Sequence, residues 1–267
     1  MRKIVMAAGL IISLLLIYIA WGTARHSDES PSDTSEQRKE STSGASLAGK
    51  GKADRHEKEI SAAREAEELA AATDPKSLLV LVNKQYGLPE NYKPSDLVYP
   101  NVPFTFTEKI DKRKLREEAA KALEQLFAGA REDGISLLGV SAYRSYKTQN
   151  NLYDYYVHKD GEQAAETFSA IPGHSEHETG LAIDVTGGDG RCAAEDCFAD
   201  TKEAKWLADH APEYGFIIRY PKGKEQITGY KYEPWHIRYV GKKAAKEIKK
   251  KGITLEEYLT AIQTAAK

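Results

Sequence analysis

The sequence has few cysteines and no excess of basic residues. Cys192 and Cys197 are the only two cysteines among 267 residues, and neither follows the apolar run near the N-terminus, which excludes a lipid anchor on a lipobox cysteine. The 38 lysines and arginines are balanced by 40 aspartates and glutamates, for a formal net charge of −2. They are scattered rather than gathered in a basic stripe, so nucleic acid is not expected as a partner.

The N-terminus carries the one long apolar segment. Two basic residues precede an uncharged run from Ile4 to Trp21, which is typical of an export element over residues 1–24. The run just reaches the length of a membrane-spanning helix, whereas Gly22 and Ala24 offer a small-x-small site for a signal peptidase. A cleaved signal and a retained membrane anchor both stay open, and either places the rest of the chain outside the cytoplasm.

Composition divides the remaining chain into a linker and one domain. Residues 25–75 are rich in Ser, Gly, Lys, Asp and Glu, with a helix-favouring stretch at 57–72, and are expected to form a disordered and partly helical tether. Residues 76–267 intersperse strand-like and helix-like patterns, which favours an α+β domain with a small central antiparallel sheet flanked by helices. We expect this domain to be a monomer.

Apolar periodicity predicts the elements of the domain. Strands are predicted over 78–82, 135–140, 181–185, 215–220 and 235–240, and helices over 112–131, 148–156, 161–168 and 206–210. Thr254 and Glu257 form the capping-box pattern that opens a last helix through Ile262.

Two histidines and an aspartate form the most informative pattern. Residues 173–184 read GHSEHETGLAID, and EPWH follows at 233–236. His177, Asp184 and His236 offer two imidazoles and a carboxylate, the three-ligand set with which hydrolytic zinc sites leave a fourth position for water. Glu233, three residues before the last ligand, is placed to handle the proton of that water. The pattern predicts one zinc ion per chain.

A helical H-E-x-x-H zinc motif is excluded, although His177 and Glu178 look like its start. Position 181 is leucine rather than a second histidine, and a glycine interrupts the stretch. The apolar run that follows suits a strand, on which Asp184 shares one face with small Ala182. We therefore expect a metal site carried by a sheet.

A second polar cluster, SAYRS at 141–145, follows the strand predicted at 135–140. Arg144 at the end of a strand, with Gln149 close in sequence, suits bidentate binding of a carboxylate or stabilisation of an oxyanion. An arginine paired with a surface acid is the alternative that this cluster alone leaves open.

Three motifs together resemble the VanY-type D-alanyl-D-alanine carboxypeptidases, in the group of zinc peptidases that includes lysostaphin-like and hedgehog-like domains. They are SAYRSxxxQ from 141, PGHSEHETGLAID from 172 and GYKYEPWHIRYV from 229, and the likeness spans roughly residues 76–250. The resemblance implies hydrolysis of the C-terminal D-alanine from peptidoglycan stem peptides. It also implies zinc on the three ligands above, Glu233 as general base and acid, and Arg144 facing the substrate carbonyl or carboxylate. Ser175, Gln149 and Tyr220 are implied to hold the terminal carboxylate.

Two residues depart from the family pattern. Ala142 stands where glycine is common, and Glu178 stands where glutamine is common. Glu178 adds a negative charge beside the metal, with an expected effect on metal affinity or substrate preference.

Two other functions are weighed against the carboxypeptidase. A non-catalytic wall-binding module would lack a ligand or the base, and this chain has all four residues. A peptidoglycan endopeptidase that cuts stem peptides or cross-links differs in whether its pocket demands a free terminal carboxylate. The motifs serve D,D and L,D specificity alike, so the choice between pentapeptide and tetrapeptide stems stays open.

Cys192 and Cys197 lie five positions apart in a polar loop that follows Asp184. Because an exported protein permits disulfides, we predict a bond that closes this loop rather than two free thiols. Zinc binding by these cysteines is not expected, since the His and Asp residues already supply the ligands.

Overall fold

A computed structural model describes residues 70–166 and 169–265, together with Ala63 and Glu67. The predicted export element and most of the predicted linker lie outside this part of the chain. Ala63, Glu67, Ala70 and Ala71 are helical, in the stretch predicted as a helix over 57–72. Among the described residues, no helix has the length and apolar character needed to cross a membrane.

From residue 72 onwards, the described chain contains six strands and seven α-helices. The strands are β1 (Leu97–Val98), β2 (Leu115–Arg116), β3 (Leu137–Ser141), β4 (Ala182–Gly187), β5 (Phe216–Ile218) and β6 (His236–Tyr239). The helices are α1 (Glu117–Glu132), α2 (Tyr146–Asp160), α3 (Glu162–Ala165), α4 (Lys202–His210), α5 (Glu225–Thr228), α6 (Lys242–Lys251) and α7 (Leu255–Ala265). β1 and β2 pair with each other, and the other four form an antiparallel sheet in the order β3-β4-β6-β5. The predicted α+β class is confirmed.

The register of the central sheet aligns three residues of the predicted motifs. Ser141 at the end of β3 lies opposite Asp184 of β4, and Asp184 lies opposite His236 at the start of β6. Residues directly opposite on antiparallel strands have Cβ atoms about 4.5–5.5 Å apart. Strand pairing alone therefore brings two of the predicted ligands together and places the segment after β3 beside them.

The main apolar core includes residues of α1 and of the sheet. Leu123 and Leu126 of α1 are completely buried in the same cluster as Ile183 and Val185 of β4. These two β4 residues alternate with Asp184, so one face of the strand packs into the core while the other carries the site.

The helix predicted over 112–131 begins later than its apolar pattern suggests. Residues Asp111–Arg113 form a 3₁₀ turn, and the α-helix starts only at Glu117. Leu115 continues the apolar spacing, but it lies in β2 opposite Val98. Pairing with a distant strand therefore overrides the local helical period at this end.

The strand predicted over 78–82 is wrong, because residues 78 and 79 form a turn and the segment pairs with no strand in the described chain. Val80 and Val82 are buried, which explains the apolar run. The carbonyls of Leu78 and Val80 accept hydrogen bonds from Nη2 of Arg238, at 3.0 and 2.9 Å. An arginine side chain therefore satisfies the backbone groups that a neighbouring strand would otherwise satisfy.

The remaining predicted elements are present with shifted ends. The helices predicted at 148–156, 161–168 and 206–210 correspond to α2, α3 and α4, and the other four strands correspond to β3, β4, β5 and β6. The capping box is formed, since Thr254 Oγ1 accepts from the Glu257 amide at 3.2 Å and Glu257 Oε2 accepts from the Thr254 amide at 2.8 Å. The lysine-rich helix α6 is not predicted, because only Ala244, Ala245 and Ile248 mark its buried face.

Candidate active site

His177, Asp184 and His236 lie together at the centre of the domain. One ligand atom from each residue lies within 4.8 Å of the others, and all three residues are buried. His177 comes from a 3₁₀ turn at Glu176–Thr179, Asp184 from β4 and His236 from β6. The structure thus assembles the predicted ligand set from three separate elements.

His177 is oriented by a backbone carbonyl. Its Nδ1 lies 2.8 Å from the carbonyl oxygen of Ala142, which can only accept, so Nδ1 carries the proton. Its Nε2 then presents a lone pair towards Oδ2 of Asp184, 3.4 Å away. Burial lowers the pKa of His177 despite the nearby carboxylate, and the neutral imidazole is the form that binds metals.

The carboxylates around His236 favour positive charge at this point. Burial lowers the pKa of His236, but the nearby carboxylates of Asp184 and Glu176 outweigh it and raise the pKa to about 9. Burial raises the pKa of Asp184, but His177 and His236 outweigh it and hold the pKa well below its usual range. The carboxylates of this cluster stabilise a positive charge even though the site is buried, and a bound metal cation would be stabilised in the same way.

The residues present fit a catalytic zinc ion. Oδ1 of Asp184 is buried and has no hydrogen-bond partner among the described residues, although His236 Nδ1 lies 3.2 Å away. A buried carboxylate oxygen without a donor is costly, and coordination to a cation would satisfy it. Two imidazole nitrogens and one carboxylate oxygen are a ligand set that zinc takes in hydrolytic sites, with a fourth position for water.

A cavity of about 300 Å³ opens over the ligand cluster. The cavity wall contains all three ligands and most of the other residues predicted for the site, namely Arg144, Ser175, Tyr220 and Glu233. Ser175 and Tyr220 are buried, each with about 5% of its surface exposed. The ring of Tyr220 lies 4.9 Å from the ring of His236, so this tyrosine packs against a ligand as well as lining the cavity.

Glu233 lies at the edge of the ligand cluster. Its backbone amide donates to the carbonyl of Tyr220 at 3.0 Å, and its carboxylate lies 3.8 Å from Nδ1 of His236. Burial raises the pKa of Glu233 to about 7, against the opposing effect of His236. A carboxyl group with a pKa near neutrality is well suited to exchange protons in both directions.

Gln149 holds Arg144 in place. The Gln149 carboxamide oxygen accepts from Nη1 of Arg144 at 2.9 Å, and its nitrogen donates to the Ala170 carbonyl at 2.6 Å. Ser141 contributes a longer contact to Nη2 of Arg144, at 3.4 Å. Gln149 is completely buried and does not line the cavity, so the geometry connects it to substrate through Arg144 and not directly.

Glu178 is buried next to the ligand His177 but is not part of the cavity wall. Its carboxylate accepts a hydrogen bond from the amide of Gly173 at 2.8 Å, and its own amide donates to the carbonyl of Ser175 at 3.0 Å. Gly173 has φ +86°, a conformation that favours glycine. Glu178 therefore anchors the bend that leads into Ser175 and His177.

Replacing Glu178 by glutamine is expected to raise the free energy of unfolding of the zinc-free chain at pH 8 by about 1–3 kcal/mol. Burial raises the pKa of Glu178 from 4.5 to about 7, so the folded chain loses stability as the pH rises through this range. Glutamine keeps an acceptor for the Gly173 amide and carries no charge. Denaturant unfolding at pH 8 and pH 4 measures the effect, and an equal difference at both pH values would contradict it.

A disulfide joins Cys192 and Cys197, as predicted. The loop that it closes contributes Ala194 and Asp196 to the wall of the cavity. Cys192 and Ala194 have positive φ angles of 54° and 57°, which non-glycine residues seldom adopt. The disulfide thus constrains a tight loop at the mouth of the site.

Comparison with known proteins agrees with this geometry. Residues 112–242 match the family model described as VanY, D-alanyl-D-alanine carboxypeptidase. YodJ of Bacillus subtilis strain 168 is 51% identical over 195 residues, which cover 73% of this chain and 71% of YodJ. The chain belongs to the VanY family.

Two solved structures show the same fold as this VanY-family chain. The LdcB LD-carboxypeptidase is 53% identical with a TM-score of 0.68, and the match covers 70% of this chain and 87% of LdcB. A mutant of the vancomycin-resistance D,D-pentapeptidase VanY, in complex with Zn(II), is 34% identical with a TM-score of 0.56. That match covers 68% of this chain and 98% of the VanY chain. The zinc of this relative agrees with the cofactor predicted from the sequence.

One buried residue at the VanY-type site is not assigned by the sequence motifs. Glu176, between Ser175 and His177, is only 2% exposed and contacts two arginines, Arg219 and Arg238. Its position inside the motif is visible in the sequence, but its partners lie 43 and 62 residues away. The only local sign of its role is that Glu176 is a charged residue inside a buried segment, which implies a buried partner of opposite charge.

Proposed function

We propose that this chain is a zinc-dependent carboxypeptidase that removes the C-terminal D-alanine from peptidoglycan stem peptides. The observation that carries the proposal is the convergence of the three ligands, Glu233 and Arg144 on one cavity. Membership of the VanY family supports carboxypeptidase chemistry. Peptidoglycan recognition by the LD-carboxypeptidase LdcB and the D,D-pentapeptidase activity of VanY support a stem-peptide substrate. The apolar N-terminal run supports action outside the cytoplasm, through a cleaved signal or a retained anchor.

In the proposed reaction, the water and the substrate carbonyl are activated at the metal, and one carboxyl group transfers the protons. His177, Asp184 and His236 would hold zinc, which when bound lowers the pKa of water and polarises a carbonyl group. Glu233 accepts the proton of the attacking water and returns it to the amine of the departing D-alanine. A pKa of about 7, raised by burial, allows this one carboxyl group to act first as a base and then as an acid.

Arg144 supplies a positive charge in the wall of the same cavity. Its guanidinium is held by Gln149 and Ser141, so it needs little reorganisation when substrate arrives. A fixed guanidinium pairs well with the terminal carboxylate of the peptide or with the oxyanion that forms during attack. Ser175 and Tyr220 line the same cavity and complete the binding surface for the peptide end.

Incubation of the full chain with purified tetrapeptide and pentapeptide stems tests the proposed function. We expect release of one D-alanine from at least one of these stems, loss of that release with a chelator, and recovery on addition of zinc. A stem with a C-terminal carboxamide is the control, because it lacks the carboxylate and should be a poor substrate.

Two other outcomes would replace the carboxypeptidase assignment. Cleavage of cross-linked stems without release of D-alanine would make the chain an endopeptidase. Binding of stem peptides without any turnover in the presence of zinc would make it a non-catalytic wall-binding module.

A further inference from the structure

A buried ion network lies next to the ligand His236. Oε1 of Glu176 accepts from Nε of Arg219 and from Nη1 of Arg238, each at 2.6 Å, and all three side chains are fully buried. Arg219 also donates to both carboxylate oxygens of Glu256 in α7, at 3.0 and 2.7 Å. The two arginines hold the Glu176 carboxylate in a fixed position.

The second oxygen of Glu176 faces only the metal ligand. Oε2 of Glu176 lies 3.5 Å from Nε2 of His236, and within the described part of the chain neither atom has another hydrogen-bond partner. Buried polar atoms normally have a partner, and a proton on Nε2 directed at Oε2 would satisfy both atoms. The separation of 3.5 Å is longer than an ordinary N–H···O hydrogen bond, so the two side chains must approach by a few tenths of an ångström to form one.

We infer that Glu176 is a positioning residue that sets the tautomer and the orientation of His236. Nε2 of His236 carries the proton and donates to Glu176, which leaves the lone pair of Nδ1 for the metal. Nδ1 is the nitrogen that faces the rest of the site, 3.2 Å from Asp184 and 3.8 Å from Glu233. This inference rests on the proposed zinc function and adds a residue that acts through a ligand.

The two histidines are thereby oriented in opposite senses. His177 donates through Nδ1 to the carbonyl of Ala142 and offers Nε2, whereas His236 donates through Nε2 to Glu176 and offers Nδ1. Each ligand has one buried acceptor, and the acceptor of His236 is a carboxylate. One short turn therefore supplies both the ligand His177 and, through Glu176, the acceptor for the other histidine ligand, His236.

The zinc affinity of the full chain tests this role. Glu176→Gln keeps the shape of the side chain but removes the charge that His236 faces, and we expect zinc to bind about 10–100-fold more weakly. Competition with a chromogenic chelator measures the dissociation constant directly. Glu256→Gln is the matched control, because Glu256 shares Arg219 with Glu176 but makes no contact with His236, and its zinc affinity should change less than about threefold.

A second measurement does not depend on the variant folding. In the zinc-loaded parent chain, ¹⁵N chemical shifts of the imidazole of His236 should show a protonated Nε2 and a metal-bound Nδ1. Metal on Nε2, or a folded Glu176→Gln chain with the zinc affinity of the parent, would overturn the inference. A parent chain that binds zinc but releases no D-alanine would instead overturn the proposed function and leave the role of Glu176 standing.

Discussion

Replacing Glu233 by glutamine is expected to lower kcat for D-alanine release about 10²–10⁴-fold while zinc binding stays close to that of the parent chain. Glutamine has nearly the same shape but cannot accept a proton from water or return it to the departing amine. Glu233 lies 3.8 Å from Nδ1 of His236 and is not one of the three ligands, so its loss leaves the metal set complete. Turnover with a saturating stem peptide and metal content by atomic absorption measure the two effects.

The exposed pair of Glu213 and His210 provides a control for Glu233. Glu213 lies 2.9 Å from Nδ1 of His210, outside the cavity, so Glu213→Gln repeats the chemical change beside another histidine. This variant should retain the turnover of the parent chain. Near-normal turnover in Glu233→Gln would remove Glu233 as the base, and loss of zinc from that variant would make it a ligand instead.

Replacing Arg144 by alanine is expected to lower kcat/KM for the free-acid stem about 10²–10³-fold, the cost typical of losing a fixed charge donor. Lysine keeps the charge but loses the planar fork that Gln149 and Ser141 hold, so Arg144→Lys should recover only part of the activity. Steady-state kinetics with free-acid and carboxamide stems measure both variants. Arg191→Ala, at a side chain that is 85% exposed, is the control and should be unchanged.

The two kinetic constants separate the two roles proposed for Arg144. If the guanidinium binds the terminal carboxylate, Arg144→Ala should raise KM for the free acid and abolish the preference over the carboxamide. If it stabilises the oxyanion, kcat should fall for both stems by the same factor. An Arg144→Ala chain with unchanged kcat and KM would exclude it from the site.

The ligand set could be predicted because each ligand stands at a recognisable place in a local pattern. Asp184 lies in an apolar run that suits a strand, and His236 opens a second one, so pairing of the two strands was enough to bring them together. The spacing from His236 indicates Glu233 as the base, and the family resemblance then favours a substrate-facing Arg144 over a surface ion pair. The α+β class followed from elements whose apolar periodicity is strong, such as α1 and β3.

Contacts between distant segments set the limits of this prediction. The run at 78–82 has a strand-like composition, but its backbone carbonyls are taken by Arg238, some 160 residues further along the chain. Gln149 is a residue type suited to substrate contact, yet its amide nitrogen donates to the carbonyl of Ala170 and its amide oxygen accepts from Arg144. Glu176 acquires its partners only when Arg219, which follows β5, and Arg238 of β6 pack against it, and no local sequence pattern indicates such a network.

Because of the register of the central sheet, the distance between two of the ligands does not depend on how many residues separate them in the sequence. Asp184 and His236 are 52 positions apart in sequence but directly opposite each other in adjacent strands. After the end of β4, the connection between them contains the disulfide loop, α4, β5, α5 and Glu233, and of these only β5 belongs to the sheet that fixes the two ligands. Insertions or deletions in the disulfide loop can therefore reshape the part of the cavity wall formed by Ala194 and Asp196 while the ligands keep their places. A one-residue slip of β6 against β4 would do the reverse, leaving every loop intact and dismantling the site.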